Sequence, residues 1–182
     1  MDQADESTID RALQLLWGSR RERNPKSKHV SSWVYERLTD SSGTTFPRSL
    51  TILLKAAKEY ELAASQEQAY PDRLLRMSSL VGGLKQASEH RCDELRNEYS
   101  ELSPFFDALG GLNILISREE LQKAWQKTVQ NRLSEFKDFN KFIDFLVDIG
   151  LLRFAERGKE QGYRFAEIYT HGFRIYRGTR KY

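Results

Sequence analysis

The chain has 182 residues, of which 39% are hydrophobic, 12% aromatic and 30% charged. So many aromatic residues exclude a disordered chain, and the 11 glycines and 4 prolines exclude a collagenous or low-complexity one. No apolar run is long enough to span a bilayer, and the acidic residues 1–6 lack the apolar segment of a secretory signal.

Cysteine content and charge distribution narrow the class further. The single cysteine, Cys92, has no partner for an internal disulfide, so we expect a cytoplasmic protein. Because no apolar run spans a bilayer, we expect no membrane partner. The net charge of +3 is uneven, because residues 151–182 carry 8 basic and 3 acidic side chains. Two interpretations of this basic end stay open: a face for phosphates or an acidic partner, or a solvated tail.

The first half of the chain predicts short amphipathic helices. Ser7 has the character of an N-cap, and the apolar residues after it recur at helical spacing until Gly18. A second helix is predicted over residues 30–38. Pro47 is suited to the first position of a third helix, because the N–H that proline lacks would be unpaired there anyway.

The fourth helix is the longest, over about residues 77–101. Gly82 and Gly83 lie inside it, and each costs about 1 kcal/mol of helix propensity relative to alanine. We therefore expect a kink or a close helix contact at this pair. Together the four helices form a predicted helical domain, residues 1–101.

In the second half, residues 102–182, the spacing of apolar residues changes after Gly150 from helical to alternating. Before it, a short helix ends at Gly110-Gly111, Ser117 is a predicted N-cap, and phenylalanines form an apolar face over residues 135–149. After it, residues 152–155 and 163–166 alternate around a glycine-containing turn, which predicts a β-hairpin. The fold class is therefore mainly α: a helical bundle followed by a winged-helix-like unit with one β-hairpin and a basic C-terminal tail.

Catalytic signatures are absent from the sequence. No glycine-rich phosphate loop followed by Lys-Ser/Thr occurs, so we expect no ATP hydrolysis by this chain alone. The three histidines are dispersed, which disfavours a zinc site. His90 and Cys92 point to different faces of one helix, which disfavours a Cys–His pair. We predict no catalytic residues, no metal site and no enzymatic activity, although convergence of distant residues in an uncharacterised enzyme is not visible in a sequence.

Four segments occur in a recognisable order: residues 15–18 (LLWG) with 32–33 (SW), residues 40–50 (DSSGTTFPRSL), residues 87–99 (ASEHRCDELRNEY) and residues 162–169 (GYRFAEIY). Their order resembles the C-terminal half of bacterial P-loop ATPases related to the STAND and AAA+ classes, over about residues 9–178. In those proteins a helical domain and a winged-helix-like domain follow the ATPase core. The resemblance therefore implies that the helical domain, residues 1–101, is lid-like.

The resemblance implies a non-catalytic regulatory module that couples nucleotide state to domain opening or assembly. The turn that approaches nucleotide in such ATPases matches Phe46-Pro47-Arg48, which makes Pro47 and Arg48 the candidate nucleotide-sensing residues. An arginine in a first helical turn suits phosphate. Alternatively, Pro47 only starts the helix and Arg48 is solvated. The P-loop domain itself is absent from this sequence. Three interpretations stay open: the chain is a fragment of a longer polypeptide, it works with a separate ATPase subunit, or it is a decayed remnant. ATP would be bound only with a separate ATPase domain or subunit as the partner.

A DNA-binding winged helix is the alternative. Its recognition helix would cover residues 135–149, which are too apolar and too acidic for a negatively charged groove. DNA binding would therefore depend on the wing and tail, with little sequence specificity. The candidate phosphate-contacting residues are Arg157, Lys159, Arg164, Arg174, Arg177, Arg180 and Lys181.

Overall fold

A computed structural model of the chain describes residues 6–20, 26, 28–64, 73–157 and 160–178. Within them the fold is mainly helical with one small antiparallel sheet, as the sequence predicts. The elements are α1 (Glu6–Trp17), α2 (Val30–Leu38), α3 (Pro47–Ala64), α4 (Met77–Glu98), α5 (Ser103–Ala108), β1 (Leu115–Ser117), α6 (Arg118–Thr128), α7 (Phe139–Asp148), β2 (Leu152–Arg157) and β3 (Glu160–Phe165). Short 3-10 helices cover Ser100–Leu102, Ser134–Phe136 and Glu167–Tyr169.

Two helix boundaries in the first half of the chain differ from the predicted ones. The first helix begins at Glu6, so Ser7 lies inside its first turn rather than before it. The fourth helix ends at Glu98 because Tyr99 leaves helical geometry, with φ −124° and ψ 60°. The Tyr99 ring packs edge-on against Phe145, with 5.2 Å between ring centroids. This contact turns the chain into the following 3-10 helix.

Helices α3 and α4 pack as a pair, and a partly buried carboxylate of α3 caps the start of α4. Glu61 of α3 accepts hydrogen bonds from the Arg76 backbone N–H at 2.9 Å, from Arg76 Nε at 2.7 Å and from Ser79 Oγ at 2.7 Å. Arg76 is the N-cap residue of α4 and its own side chain does not cap the helix. Glu61 therefore supplies from another helix the acceptor that the start of α4 needs. Burial alone would raise the pKa of Glu61, but these hydrogen bonds lower it below its usual value.

Glu61→Gln is expected to lower the free energy of unfolding by about 2 kcal/mol at pH 7, because it weakens hydrogen bonds to a charged acceptor. The folded-state pKa lies below the unfolded one, so this stabilisation is present above about pH 4.5 and is lost as pH falls through the folded-state pKa. Urea unfolding at neutral and acidic pH measures both effects. Glu59→Gln, at an exposed position of the same helix, is the control. Equal losses for the two variants at pH 7 would contradict the capping role.

The sheet has the strand order β1-β3-β2, with both pairs antiparallel. The hairpin of β2 and β3 confirms the prediction. Strand β1 was not predicted, because its three residues overlap the N-cap signal at Ser117. Ser117 does cap α6: its Oγ accepts from the Glu120 N–H at 3.2 Å, and Glu120 accepts from the Ser117 N–H at 3.1 Å. Arg153 and Arg164 stand directly opposite each other on β2 and β3.

The aromatic segment before Gly150 is shorter than predicted as a helix. Asp138 interrupts it as the N-cap of α7, since its Oδ1 accepts from the Asn140 and Lys141 N–H groups. Residues 134–136 form a separate 3-10 turn. At the other end, Gly150 has φ +71° and the Leu151 N–H bonds to the Leu146 carbonyl at 3.0 Å. This Schellman motif ends the helix at the predicted glycine.

One continuous hydrophobic core extends from the α1–α4 bundle into the sheet. The predicted core positions Trp17, Trp33 and Trp125 are all at most 4% exposed. The apolar face of α7 is also buried, at Phe139, Phe142, Ile143 and Leu146. The domain boundary between residues 101 and 102 stays a prediction.

A hydrogen-bonded turn connects α2 and α3 to the second half of the chain. Thr39 and Thr45 form an antiparallel bridge around it, and we call residues 39–45 the Asp40 turn. The Asp40 Oδ1 accepts from the Ser42 N–H, the Ser42 Oγ and the Thr44 N–H, all within 2.9 Å. The Ser41 N–H bonds to the Gly150 carbonyl at 2.9 Å. The turn is therefore fixed against the end of α7 and brings α2 beside the sheet.

Candidate functional site

The predicted sensor residues lie at an accessible helix start. Pro47 is the first residue of α3, so its fixed φ begins the helix without the loss of a hydrogen bond. Arg48 follows in the first turn, and its side chain is 73% exposed. Its Nη1 donates to Oε1 of Glu94 on α4 at 3.1 Å. An ion pair this exposed contributes only about 0–1 kcal/mol, so the guanidinium is easily released to another anion.

Glu94 also contacts two further groups on its own helix. Arg91 Nη1 lies 3.4 Å from Oε2, and His90 Nδ1 lies 3.6 Å from Oε1. One carboxylate thus faces two arginines, which leaves a net charge of +1 with His90 neutral. We call Phe46, Pro47, Arg48, Arg91 and Glu94 the Arg48 surface.

Arg91 anchors the Arg48 surface to the interior. Its Cζ lies 4.0 Å from the centroid of the Phe46 ring and 6.0 Å from that of the Tyr169 ring. Burial alone would lower the pKa of Arg91, but Tyr169 and Glu94 raise it above its usual value, so the guanidinium stays charged. Tyr169 is fully buried, and burial raises its pKa to about 12. The stack therefore connects the start of α3 to the 3-10 helix after β3.

Three of the segments that carry the family resemblance meet in this stack. Phe46, Arg91 and Tyr169 belong to residues 40–50, 87–99 and 162–169, respectively. The fourth segment, residues 15–18, contacts α2 instead, because Trp17 Nε1 donates to Ser31 Oγ at 3.3 Å. Arg91 and Glu94 were not among the predicted site residues. Both lie within residues 87–99 of the family resemblance, which was a signal, but the separation of 45 positions between Phe46 and Arg91 hid the contact.

The predicted DNA-contacting residues are distributed differently. Arg164 Nη2 donates to Glu167 Oε1 at 2.8 Å, and Arg177 Nε lies 3.3 Å from Glu167 Oε2. Arg177 also donates to Thr170 Oγ1 from Nε at 3.0 Å and from Nη2 at 2.6 Å. Burial lowers the pKa of Arg177, against an opposing effect of Glu167. Both partly exposed cations are therefore paired with the same carboxylate, in what we call the Glu167 network.

The other five candidate DNA-contacting residues do not form a common surface with Arg164 and Arg177 among the described residues. Arg174 is exposed, with φ +57°, and forms no ion pair among the described residues. Arg157 ends β2, and its side chain is not described. Lys159, Arg180 and Lys181 lie outside the described residues. Among the members of the set whose side chains the structure describes, Arg164 and Arg177 are brought together and Arg174 is not.

The exposed side of α7, where a recognition helix would meet DNA, carries Asn140, Lys141, Asp144 and Asp148. Two carboxylates against one lysine repel a phosphate backbone. Asn140 is moreover engaged as the acceptor of a hydrogen bond from Arg118 Nη2. Arg118 also donates to the Tyr163 hydroxyl at 3.1 Å, so this end of α7 is tied to the sheet.

Nucleophilic and metal chemistry find little support in the described part of the chain. Cys92 is buried with its Sγ 3.6 Å from the Tyr169 carbonyl oxygen, whereas His90 is 41% exposed on another side of α4. Burial raises the pKa of the Cys92 thiol to about 12, so the nucleophilic thiolate is disfavoured. Among the described residues, no group of three or more His, Cys, Asp or Glu side chains is placed to hold a metal ion.

Comparisons with protein-family models, curated proteins and solved structures found no match to this chain. Within the ranges that the structure describes, no helix combines the length and apolar character needed to cross a membrane.

Proposed function

We propose that this chain is a non-catalytic regulatory module of a P-loop ATPase, which couples the nucleotide state of that ATPase to domain opening or assembly. The single observation that carries the proposal is the placement of Arg48. It lies in the first turn of an 18-residue helix, 73% exposed and held only by a surface ion pair. A phosphate group of a nucleotide on the partner can replace Glu94, because an arginine at a helix start favours anions.

A route for coupling follows from the stack beneath Arg48. If Arg48 moves from Glu94 to a phosphate, Arg91 is the arginine that stays paired with Glu94. Arg91 contacts both Phe46 and Tyr169, so a change at the helix start reaches the 3-10 helix after β3. ATP would thus be bound by the partner and sensed by this chain. A reducing cytoplasm remains the proposed compartment, with the single buried cysteine as its basis.

The test is nucleotide-dependent capture of the partner. The tagged chain is incubated with lysate of the cells that encode it, in the presence of Mg·ATPγS or Mg·ADP, and captured proteins are quantified by mass spectrometry. We expect enrichment of a P-loop protein that differs between nucleotides and that Arg48→Gln reduces at least about tenfold, since charge-assisted contacts to phosphate are strong.

Lys55→Gln, at an exposed position of the same helix, is the matched control. Urea unfolding of Arg48→Gln should agree with wild type within about 1 kcal/mol, as expected for an exposed ion pair. Loss of capture then reports a lost contact rather than lost folding. Capture of a P-loop protein with equal yield by Arg48→Gln would refute the sensing role, and the absence of any P-loop protein would refute the module.

The DNA-binding alternative is supported by the order of elements. The sequence α5-β1-α6-α7-β2-β3 with the strand order β1-β3-β2 is the arrangement expected of a winged helix. Against it stand the acidic face of α7 and the ion pairs that Arg164 and Arg177 form with Glu167. Fluorescence anisotropy with duplex DNA at about 50 and 200 mM salt separates the two functions, because phosphate contacts make binding strongly salt-dependent. Neutralisation of Arg174, Arg180 and Lys181 tests the tail while leaving the Glu167 network intact.

A further inference from the structure

A polar groove of about 510 Å³ separates α2 and the Asp40 turn from one end of the β2–β3 hairpin. Four cationic side chains line it: Lys28, Arg37, Arg153 and Arg164. Its volume falls within the range of about 300–1,000 Å³ that is typical of small-molecule sites. Polar lining favours a charged ligand over an apolar one.

The carboxylates in the groove are already engaged. Glu36 accepts from Lys28 Nζ at 2.5 and 2.6 Å through its two oxygens. Asp40 holds its turn through Oδ1, and Glu167 lies between Arg164 and Arg177. Glu36 pairs with Lys28 and Glu167 with Arg164, whereas Asp40 accepts from the neutral donors of its own turn. The Arg37 guanidinium lies over the Trp33 ring, 4.6 Å from its centroid. One arginine of the groove is left without an ion pair or ring contact among the described residues.

Arg153 is that remaining arginine. It stands directly opposite Arg164 in the β2–β3 register, and like charges in this position repel each other. Glu167 compensates Arg164, whereas exposed Arg153 forms no ion pair with another described residue. An anion bound between the two guanidinium groups would relieve this repulsion and satisfy their N–H donors.

Two further side chains of the groove, Ser41 and Tyr35, are placed to contact such an anionic ligand. The Ser41 hydroxyl oxygen is buried in the wall of the groove and has no hydrogen-bond partner among the described residues. A buried hydroxyl without a partner is unusual, and a bound oxyanion would accept its hydrogen. Tyr35 also lines the groove and is 57% exposed, so its ring offers a stacking surface for a flat ring system.

We propose that this groove binds a small phosphate-bearing ligand of mononucleotide size. Its phosphate lies between Arg153 and Arg164 and accepts a hydrogen bond from Ser41, and its ring stacks on Tyr35. The site uses none of the residues of the Arg48 surface and does not depend on an ATPase partner. The binding site can therefore be confirmed or refuted independently of the proposed function.

Isothermal titration calorimetry of the full chain with AMP, ribose 5-phosphate and inorganic phosphate tests the site. At about 50 mM salt, where phosphate contacts are least screened, we expect AMP to bind more tightly than the other two. Arg153→Gln should weaken AMP binding at least about tenfold. Tyr35→Ala should remove the advantage of AMP over ribose 5-phosphate and leave phosphate binding unchanged.

Arg132→Gln, at an exposed position outside the groove, is the charge-matched control and should bind AMP as wild type does. Unfolding midpoints of all variants confirm that the exposed substitutions leave folding unchanged. The proposal is overturned if none of the three probes binds at about 10 mM, a concentration that detects even weak sites. Equal affinity of wild type and Arg153→Gln also overturns it. Much tighter binding of a short single-stranded oligonucleotide than of AMP would assign the groove to a nucleic-acid strand instead.

Discussion

Gly83→Ala is expected to lower the free energy of unfolding by about 3 kcal/mol, the upper end of the usual cost of overpacking. A methyl group at Gly83 would lie 2.3 Å from the Leu53 carbonyl oxygen and 3.0 Å from the Ala57 nitrogen. Both are backbone atoms of α3, so relief requires the two helices to separate. Alanine has the better helix propensity by about 1 kcal/mol, but the steric cost exceeds this gain.

The neighbouring glycine provides a control with the opposite expected sign. A methyl group at Gly82 would meet only the Tyr60 ring, at 2.7 Å, and that side chain is 43% exposed and free to rotate outward. Gly82→Ala should therefore be neutral or stabilise the protein by up to about 1 kcal/mol through helix propensity. Urea unfolding of both variants measures the difference. Stabilisation by Gly83→Ala, or equal destabilisation by both, would show that α3 and α4 do not pack as closely as the structure places them.

This glycine pair also shows which parts of the fold the sequence could predict. Local signals were sufficient where one residue decides the outcome: Pro47 starts α3, Ser117 caps α6 and Gly150 ends α7. The sequence left two possibilities at Gly82-Gly83, a kink or a close contact, and the structure has the close contact at Gly83 within a continuous helix. The close contact is made with Leu53, about 30 positions earlier in the chain. Hydrophobic periodicity predicts a helix but not which other helix it touches.

Sequence reasoning failed where a side chain's environment comes from distant elements. The alternation in β2 predicts Phe154 on the same face as buried Leu152, yet Phe154 is 55% exposed. Arg164 and Arg177 were grouped with the other basic residues, but each forms an ion pair with Glu167. Charge counts along the chain cannot distinguish an engaged arginine from an exposed one. The candidate site was thus predictable at Pro47 and Arg48, which depend on a helix start, and not at Arg91 or Glu94.

Gly172→Ala is expected to lower the free energy of unfolding by a similar amount, about 3 kcal/mol, for a different structural reason. Its methyl group would lie 2.4 Å from Cys92 Sγ, 2.7 Å from Cys92 Cβ and 2.8 Å from the Ser88 carbonyl oxygen. The Gly172 N–H also donates to Ser88 Oγ at 3.0 Å. This contact holds the turn after the 3-10 helix Glu167–Tyr169 against α4, where the two halves of the chain meet.

A double-mutant cycle with Cys92→Ala separates the steric clash from any general weakness of this turn. Cys92→Ala removes the sulfur, which is the nearest atom, but leaves Cβ in place and creates a small cavity of its own. We therefore expect partial rescue, with the double variant more stable than additivity predicts by at least about 0.5 kcal/mol. Additive losses would mean that the turn does not pack against Cys92 in solution. In that case Tyr169, whose carbonyl contacts the same sulfur, would not be held beneath Arg91, and the coupling route from Arg48 would lose its structural basis.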